Sequence, residues 1–232
     1  MNQERNLAQY VILSAVGASL IIVISWLGAS DAVSFDAADK LLVGGAFILS
    51  CMFGISIALR PGWVSRSGRR NHGAITRGQT GKGKRRGHHP DCGGFEAHVI
   101  DTKSRSLCAG CTGLAVGSII SILLVTVCIS LPARIPPTFL YVLVSLGMFL
   151  IAVNFAETVI PVRNAVLHLV SNVFLVISFF FIVIGVFLLT GNAVYGILGI
   201  VMSFLWLETR IRLSNWRHAE VCGECSETCK AY

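Results

Sequence analysis

Charge is what this sequence has least of. Only 13% of its 232 residues are Asp, Glu, Lys or Arg, against roughly 25% in a soluble globular domain. A mean hydropathy of +0.71 could reflect one greasy core, but no soluble core requires charge-free runs of bilayer length, and a soluble single domain is excluded. A complete catalytic set is also missing, and no residue needs catalysis to explain its presence. An internal repeat of known type is missing too. Gly78-x4-Gly83-Lys84 imitates the start of a phosphate-binding loop, yet Arg85 stands where a Ser or Thr would hold magnesium, and neither a buried strand before it nor an amphipathic helix after it completes the motif.

What is present is a series of apolar runs. Leu7 to Ala29 and Leu41 to Leu59 carry no charge, and between them lie Asp31, Asp36, Asp39 and Lys40. Thr112 to Leu131, Phe139 to about Ala156, Ala165 to Leu189 and the shorter Ala193 to Leu207 follow. Thr190-Gly191-Asn192 punctuates the last two as a tight helical hairpin rather than one over-long helix. The first run follows Arg5 and ends in small residues, but it exceeds the 7–15-residue apolar region of a signal peptide and reads as a true span. The expectation is an all-α polytopic membrane bundle of six transmembrane helices with a small cytoplasmic Cys/His-rich loop. Helices one and two occupy residues 1–59, a basic loop 60–111, helices three to six 112–207, and a Cys-rich tail 208–232.

The basic residues orient this bundle, because cytoplasmic loops collect Lys and Arg. Arg5, eleven basic residues from Arg60 to Arg105, Arg163, Arg210, Arg212, Arg217 and Lys230 fall on the amino-terminal side, seventeen of nineteen in all; only Lys40 and Arg134 fall opposite. Both termini are therefore expected in the cytoplasm, with the chain in the cytoplasmic membrane. The Gly- and Arg-rich run from Arg66 to Arg86 has no aromatic residue after Trp63. It reads as a basic loop held against anionic lipid headgroups rather than as a nucleic-acid-binding segment.

Six of the eight cysteines fall on that reducing side, where metal or redox use is favoured over structural disulfides. Cys51 and Cys128 lie inside spans and read as small packing residues. The first cluster is Cys92-x5-His98-x9-Cys108-x2-Cys111, with His88 and His89 upstream as alternates. Residues 95–100 and 105–107 around Asp101-Thr102-Lys103-Ser104 read as a hairpin feeding a Cys-x-x-Cys turn. Two thiolates on such a turn supply half a tetrahedron, and zinc completed by His or Cys elsewhere would anchor a loop with little core of its own. Cys111 immediately precedes the third span, and a helix amino terminus favours the thiolate, which suits metal binding and thiol-disulfide exchange alike. The second cluster, His218-x3-Cys222-x2-Cys225-x3-Cys229, offers another Cys3His set; its spacing suits zinc better than an iron-sulfur cluster.

Within the membrane, Asn164, His168 and Asn172 recur every four residues on the fifth span and share a face. Asn154 and Glu157 sit near the cytoplasmic end of the fourth. Together these five are candidates for a proton or metal-ion path, while an interfacial position at the headgroups would satisfy them with water instead. Gly113, Gly117 and Ser121 give the third span a small-residue stripe for close helix approach.

The stretch His88-His89-Pro90-Asp91-Cys92 … Leu107-Cys108-Ala109-Gly110-Cys111-Thr112-Gly113, running straight into a glycine-spaced span, resembles a family of uncharacterised prokaryotic membrane proteins marked by a Cys-x-x-Cys-Thr-Gly signature. Asn154 to Glu157 and Arg163-Asn164 are similar to that family's polar stretch between later spans, so the resemblance covers roughly residues 88 to 190. This chain departs from the pattern in two places. A Cys-His pair is usual where it has His89 to Cys92, and an Asp where it has Glu157. The resemblance implies a cytoplasmic-membrane protein and supplies no reaction. Three readings follow: a zinc-stabilised cap with a structural or regulatory role, a transporter or channel, and a membrane thiol oxidoreductase using Cys108 and Cys111.

Overall fold

The computed structural model describes residues 2–29, 36–59, 85–86, 89–90, 98–101, 106–130, 135–160 and 164–224. Six helices dominate it: α1 (Asn2–Leu27), α2 (Ala37–Leu59), α3 (Ala109–Ser130), α4 (Pro137–Val159), α5 (Ala165–Thr190) and α6 (Ala193–Glu224). All six are long and apolar enough to cross a bilayer, and the chain is an all-α bundle of the multi-pass membrane type. Between α2 and α3 lie two short antiparallel ladders, β1 (Arg85–Arg86) with β2 (His89–Pro90), and β3 (Val99–Asp101) with β4 (Ser106–Cys108). The second is the hairpin expected ahead of the Cys-x-x-Cys turn, in the register Val99↔Cys108, Ile100↔Leu107, Asp101↔Ser106.

Local chemistry accounts for the helix ends. Pro137 opens α4 in the first turn, where a missing N–H costs nothing. Gly191 ends α5 in the left-handed region at φ 64°, open to glycine without strain. Asn192 then starts α6 by accepting from the Val194 amide at 2.8 Å. These two residues make the hairpin foreseen at Thr190-Gly191-Asn192.

α5 is the hub, with 67% of its most apolar window buried against 17–39% for the other five helices. Its long buried row from Leu175 through Val183 to Leu189 is clasped by α3, α4 and α6. The α3 contact is close because a side chain at Gly113 would stand 2.8 Å from the Asn172 Cβ, and one at Gly117 would stand 2.8 Å from the Val173 carbonyl oxygen. The small-residue stripe thus meets α5, as membrane packing requires. α1 is held to α6 at depth, with Ser14 Oγ 2.7 Å from Thr209 Oγ1 and the Trp206 indole donating to the Ser14 carbonyl at 3.1 Å.

Most helices start or end a few residues outside the apolar runs, α1 at Asn2 and α2 at Ala37 among them, and two of the differences bear on the site. α3 begins at Ala109 rather than at Thr112, so Cys111 lies within its first turn. α6 does not stop near Leu207 but continues to Glu224. Its extension carries buried Thr209, Arg210, Leu213 and His218, an amphipathic pattern that keeps one face against the bundle after the purely apolar run has ended.

Candidate functional site

The end of the bundle that bears both helical termini gathers most of the polar chemistry. α3 brings its first turn there, with Cys108 on the last residue of β4 and Cys111 one turn along. The two thiols are not disulfide-bonded and share a hydrogen bond. Thr112 Oγ1 donates to the Cys108 carbonyl at 2.9 Å and fixes the turn from within.

Three histidines stand around this turn. The His98 ring, one residue ahead of β3, lies edge-on to His168 of α5 at 4.9 Å between centroids and edge-on to His218 of α6 at 5.1 Å. His168 Nδ1 and Glu157 Oε1 are 2.9 Å apart. The Ser171 hydroxyl stands close enough to act on the same carboxylate and accepts from Asn154 Nδ2 at 2.8 Å. On the other side of the same ring, Arg210 Nη2 is 3.4 Å from His168 Nε2. A carboxylate accepts and a guanidinium only donates, so both partners give the same tautomer, with the proton on Nδ1 and the lone pair on Nε2.

The turn and the ring touch. A Cβ placed at Gly110 would stand 3.3 Å from His168 Nε2 and 3.7 Å from Arg210 Nη2. The Arg210 guanidinium is within electrostatic reach of Glu157, Cys108 and Cys111. It is 6% exposed, His168 7%, Asn154 1% and Asn172 0%, so this is a chamber inside the bundle rather than a surface patch. The side chains of Glu157 and His168 are 10% and 9% exposed, so neighbouring helices cover both.

Not every candidate joins the chamber. Asn164 is exposed and caps α5 instead, accepting from the amides of Val166 and Leu167 at 3.0 and 3.3 Å. Its four-residue spacing from His168 arose from a cap standing one turn before a buried residue. Asn172 is buried on the α3 side, with Nδ2 donating to its own helix at the His168 carbonyl, 2.6 Å away. Below it the buried residues of α5 are mainly apolar, Leu175, Phe179, Ile182, Val183 and Val186, with Ser178 donating to the Leu175 carbonyl of its own helix at 2.6 Å. Cys92, His88, Cys225 and Cys229 lie outside the described residues; His89 falls on β2 and Cys222 in the last turns of α6. Among the described residues, no three His, Cys, Asp or Glu side chains stand around a common point closely enough to hold an ion as placed. Cys51 packs in the core and Cys128 against it, as expected of intramembrane thiols.

Arg210 and Ser171 belong to the chamber and were not among the sequence candidates. For Arg210 a signal existed: an arginine eight residues before His218, near two helical turns, places both on neighbouring faces if the last span is read as continuing. Ser171 carried none, since a serine in an apolar run is ordinary.

Comparison with protein-family models, with curated proteins and with solved structures finds no match in any of the three. The chemistry of the site is therefore read from its own geometry.

Proposed function

We propose that this integral membrane protein binds zinc at a Cys/His site on its cytoplasmic side, where the ion locks the loop and the carboxy-terminal helix onto the bundle in a structural or regulatory role. One observation carries the reading. His98 of the loop cluster and His218 of the tail cluster lie ring to ring, 5.1 Å apart, beside the Cys108/Cys111 turn, so two groups of ligands far apart in sequence share one place. Two thiolates and neutral imidazoles are the donor set that zinc prefers, and the two thiolate charges neutralise the ion in a buried setting. Cys108, Cys111 and His98 are the core of the set; Cys92, His218 and the tail cysteines stand as further donors. The basic loop against anionic headgroups and the cytoplasmic placement of this end belong to the same proposal and rest on the Lys/Arg distribution.

The other two readings have less behind them. Asn154, Glu157 and His168 do converge inside the bundle, as a transport path requires, but beyond Asn172 the one buried side-chain polar group on α5 among the described residues is Ser178, whose hydroxyl is spent on the Leu175 carbonyl of its own helix, so no polar path continues along that helix. A thiol oxidoreductase would want an apolar pocket beside its cysteines. The apolar cavity of about 230 Å³ near Lys40, Cys128 and Phe187 lies instead at the opposite end of the bundle.

Metal content per chain tests the proposal on detergent-purified protein under reducing conditions, with wild type beside a Cys108→Ala/Cys111→Ala variant. One or two zinc ions per chain, falling by one in the variant, is the expected result. A metal-free wild type whose two thiols titrate as a reversible pair would refute it and move the oxidoreductase to the front.

A further inference from the structure

We infer that His168 is the fourth ligand of this zinc site, donated from inside span α5, and that Glu157 is the positioning residue that aims it. The inference rests on the zinc reading above and adds to it a ligand that neither cysteine cluster contains.

Three observations converge on His168. Its ring is 4.9 Å from that of His98, and two imidazoles on one tetrahedral ion, each with a metal–nitrogen bond of about 2.0–2.1 Å, place their centroids roughly 5 Å apart. Second, the lone pair sits on Nε2, which is 3.4 Å from Arg210 Nη2 and would stand 3.3 Å from a Cβ at Gly110 of the Cys-x-x-Cys turn. Third, Nδ1 is held by a carboxylate at 2.9 Å, the partner that ligating histidines characteristically use to fix ring orientation and raise basicity. Beside that carboxylate stands Ser171, held by Asn154 at 2.8 Å. A histidine serving only to tie α4 to α5 would need the Glu157 bond but not a second nitrogen packed against the backbone between Cys108 and Cys111.

Charge balance allows the assignment. Two thiolates offset a divalent ion and Glu157 offsets Arg210, so the buried ensemble carries no net charge. Arg210 shares Nε2 and has to turn away for an ion to bind there. Glu157 Oε2, buried and without a hydrogen-bond partner among the described residues, is the acceptor placed to receive it. Metal binding would then exchange one Arg210 contact for another and register on α6.

The test uses the full chain in detergent, loaded with zinc alone and, separately, with cobalt(II) alone. Zinc affinity is read by competition with a chromophoric chelator and ligand geometry from the visible cobalt spectrum. Expected for Glu157→Gln is a loss of about 10- to 100-fold in zinc affinity. His168→Gln should lose at least as much and alter the cobalt d–d bands while the thiolate-to-cobalt charge-transfer band persists. Asn164→Ala, at the exposed cap of α5 outside the chamber, should retain the wild-type spectrum. Zinc-edge X-ray absorption on the wild type needs no variant to fold, and should return two sulfur and two imidazole ligands. Three sulfurs and one imidazole would overturn the inference by giving the fourth position to another cysteine. Wild-type affinity and spectrum in both Gln variants would overturn it as well while leaving the zinc site standing. A wild type without zinc would remove the site and the inference together.

Discussion

Asn164 and Asn154 look alike in the sequence, each a lone amide bordering an apolar run, and the fold gives them opposite work. Asn164 caps α5 from outside; Asn154 is buried, pinning Ser171 behind Glu157. Asn164→Ala should cost about 1 kcal/mol, the usual worth of such a cap, seen as a lower unfolding midpoint with unchanged zinc affinity. Asn154→Leu should disturb the site instead, because it removes the donor that holds Ser171 against Glu157. Its expected signature is a several-fold loss of zinc affinity, and an unchanged affinity would limit Asn154 to packing. At this scale the sequence was a partial guide. Cys108, Cys111, His98 and His218 could be singled out because Cys and His are rare and clustered, and His168 stood out as an ionisable group in an apolar run. It was assigned to a transport path, since nothing local says that His98 and Arg210 are its neighbours across the bundle. Arg210 escaped because a polar residue beyond an apolar run reads as tail.

For elements, the apolar runs matched helices closely because bilayer thickness fixes their length, whereas their ends depend on what lies beside them. The hairpin between α5 and α6 was legible in Gly191 and Asn192, whose backbone and capping preferences are local. The continuation of α6 through His218 was not, since only packing against the bundle shows which of its polar residues face inward. The close contact between α3 and α5 follows from Gly113 and Gly117. Gly117→Val should force these helices apart against the Val173 carbonyl, 2.8 Å from where its Cβ would stand, at a cost of about 1–3 kcal/mol typical of overpacking. The unfolding midpoint in detergent measures this, and since α3 carries the Cys-x-x-Cys turn, the same variant should weaken zinc binding. A Gly45→Ala control, where nothing lies within 4 Å of the added methyl, should do neither.

The whole molecule reads as six antiparallel helices with a chemically asymmetric pair of ends. One end holds the thiols, three histidines and Arg210; the other holds Lys40 beside an apolar cavity. Cytoplasmic reporter fusions at residue 232 should be active and fusions within residues 31–35 inactive if the positive-inside distribution sets the topology. The reverse pattern would place the proposed zinc site outside the cell and remove the reducing environment that the zinc reading assumes.

The central place of α5 has a consequence for how the chain is made. Synthesis proceeds from the amino terminus, and α1 to α4 bury only 17–28% of their most apolar windows even in the finished molecule. They must therefore enter the bilayer as loosely associated segments and wait for residues 165–190 to emerge. Until then the lipid serves as their only neighbour on most sides, and the Cys-x-x-Cys turn, already synthesised, has neither His168 nor His218 to meet. A ribosome stalled before α5 would leave four inserted helices with no interior, a natural substrate for membrane quality control.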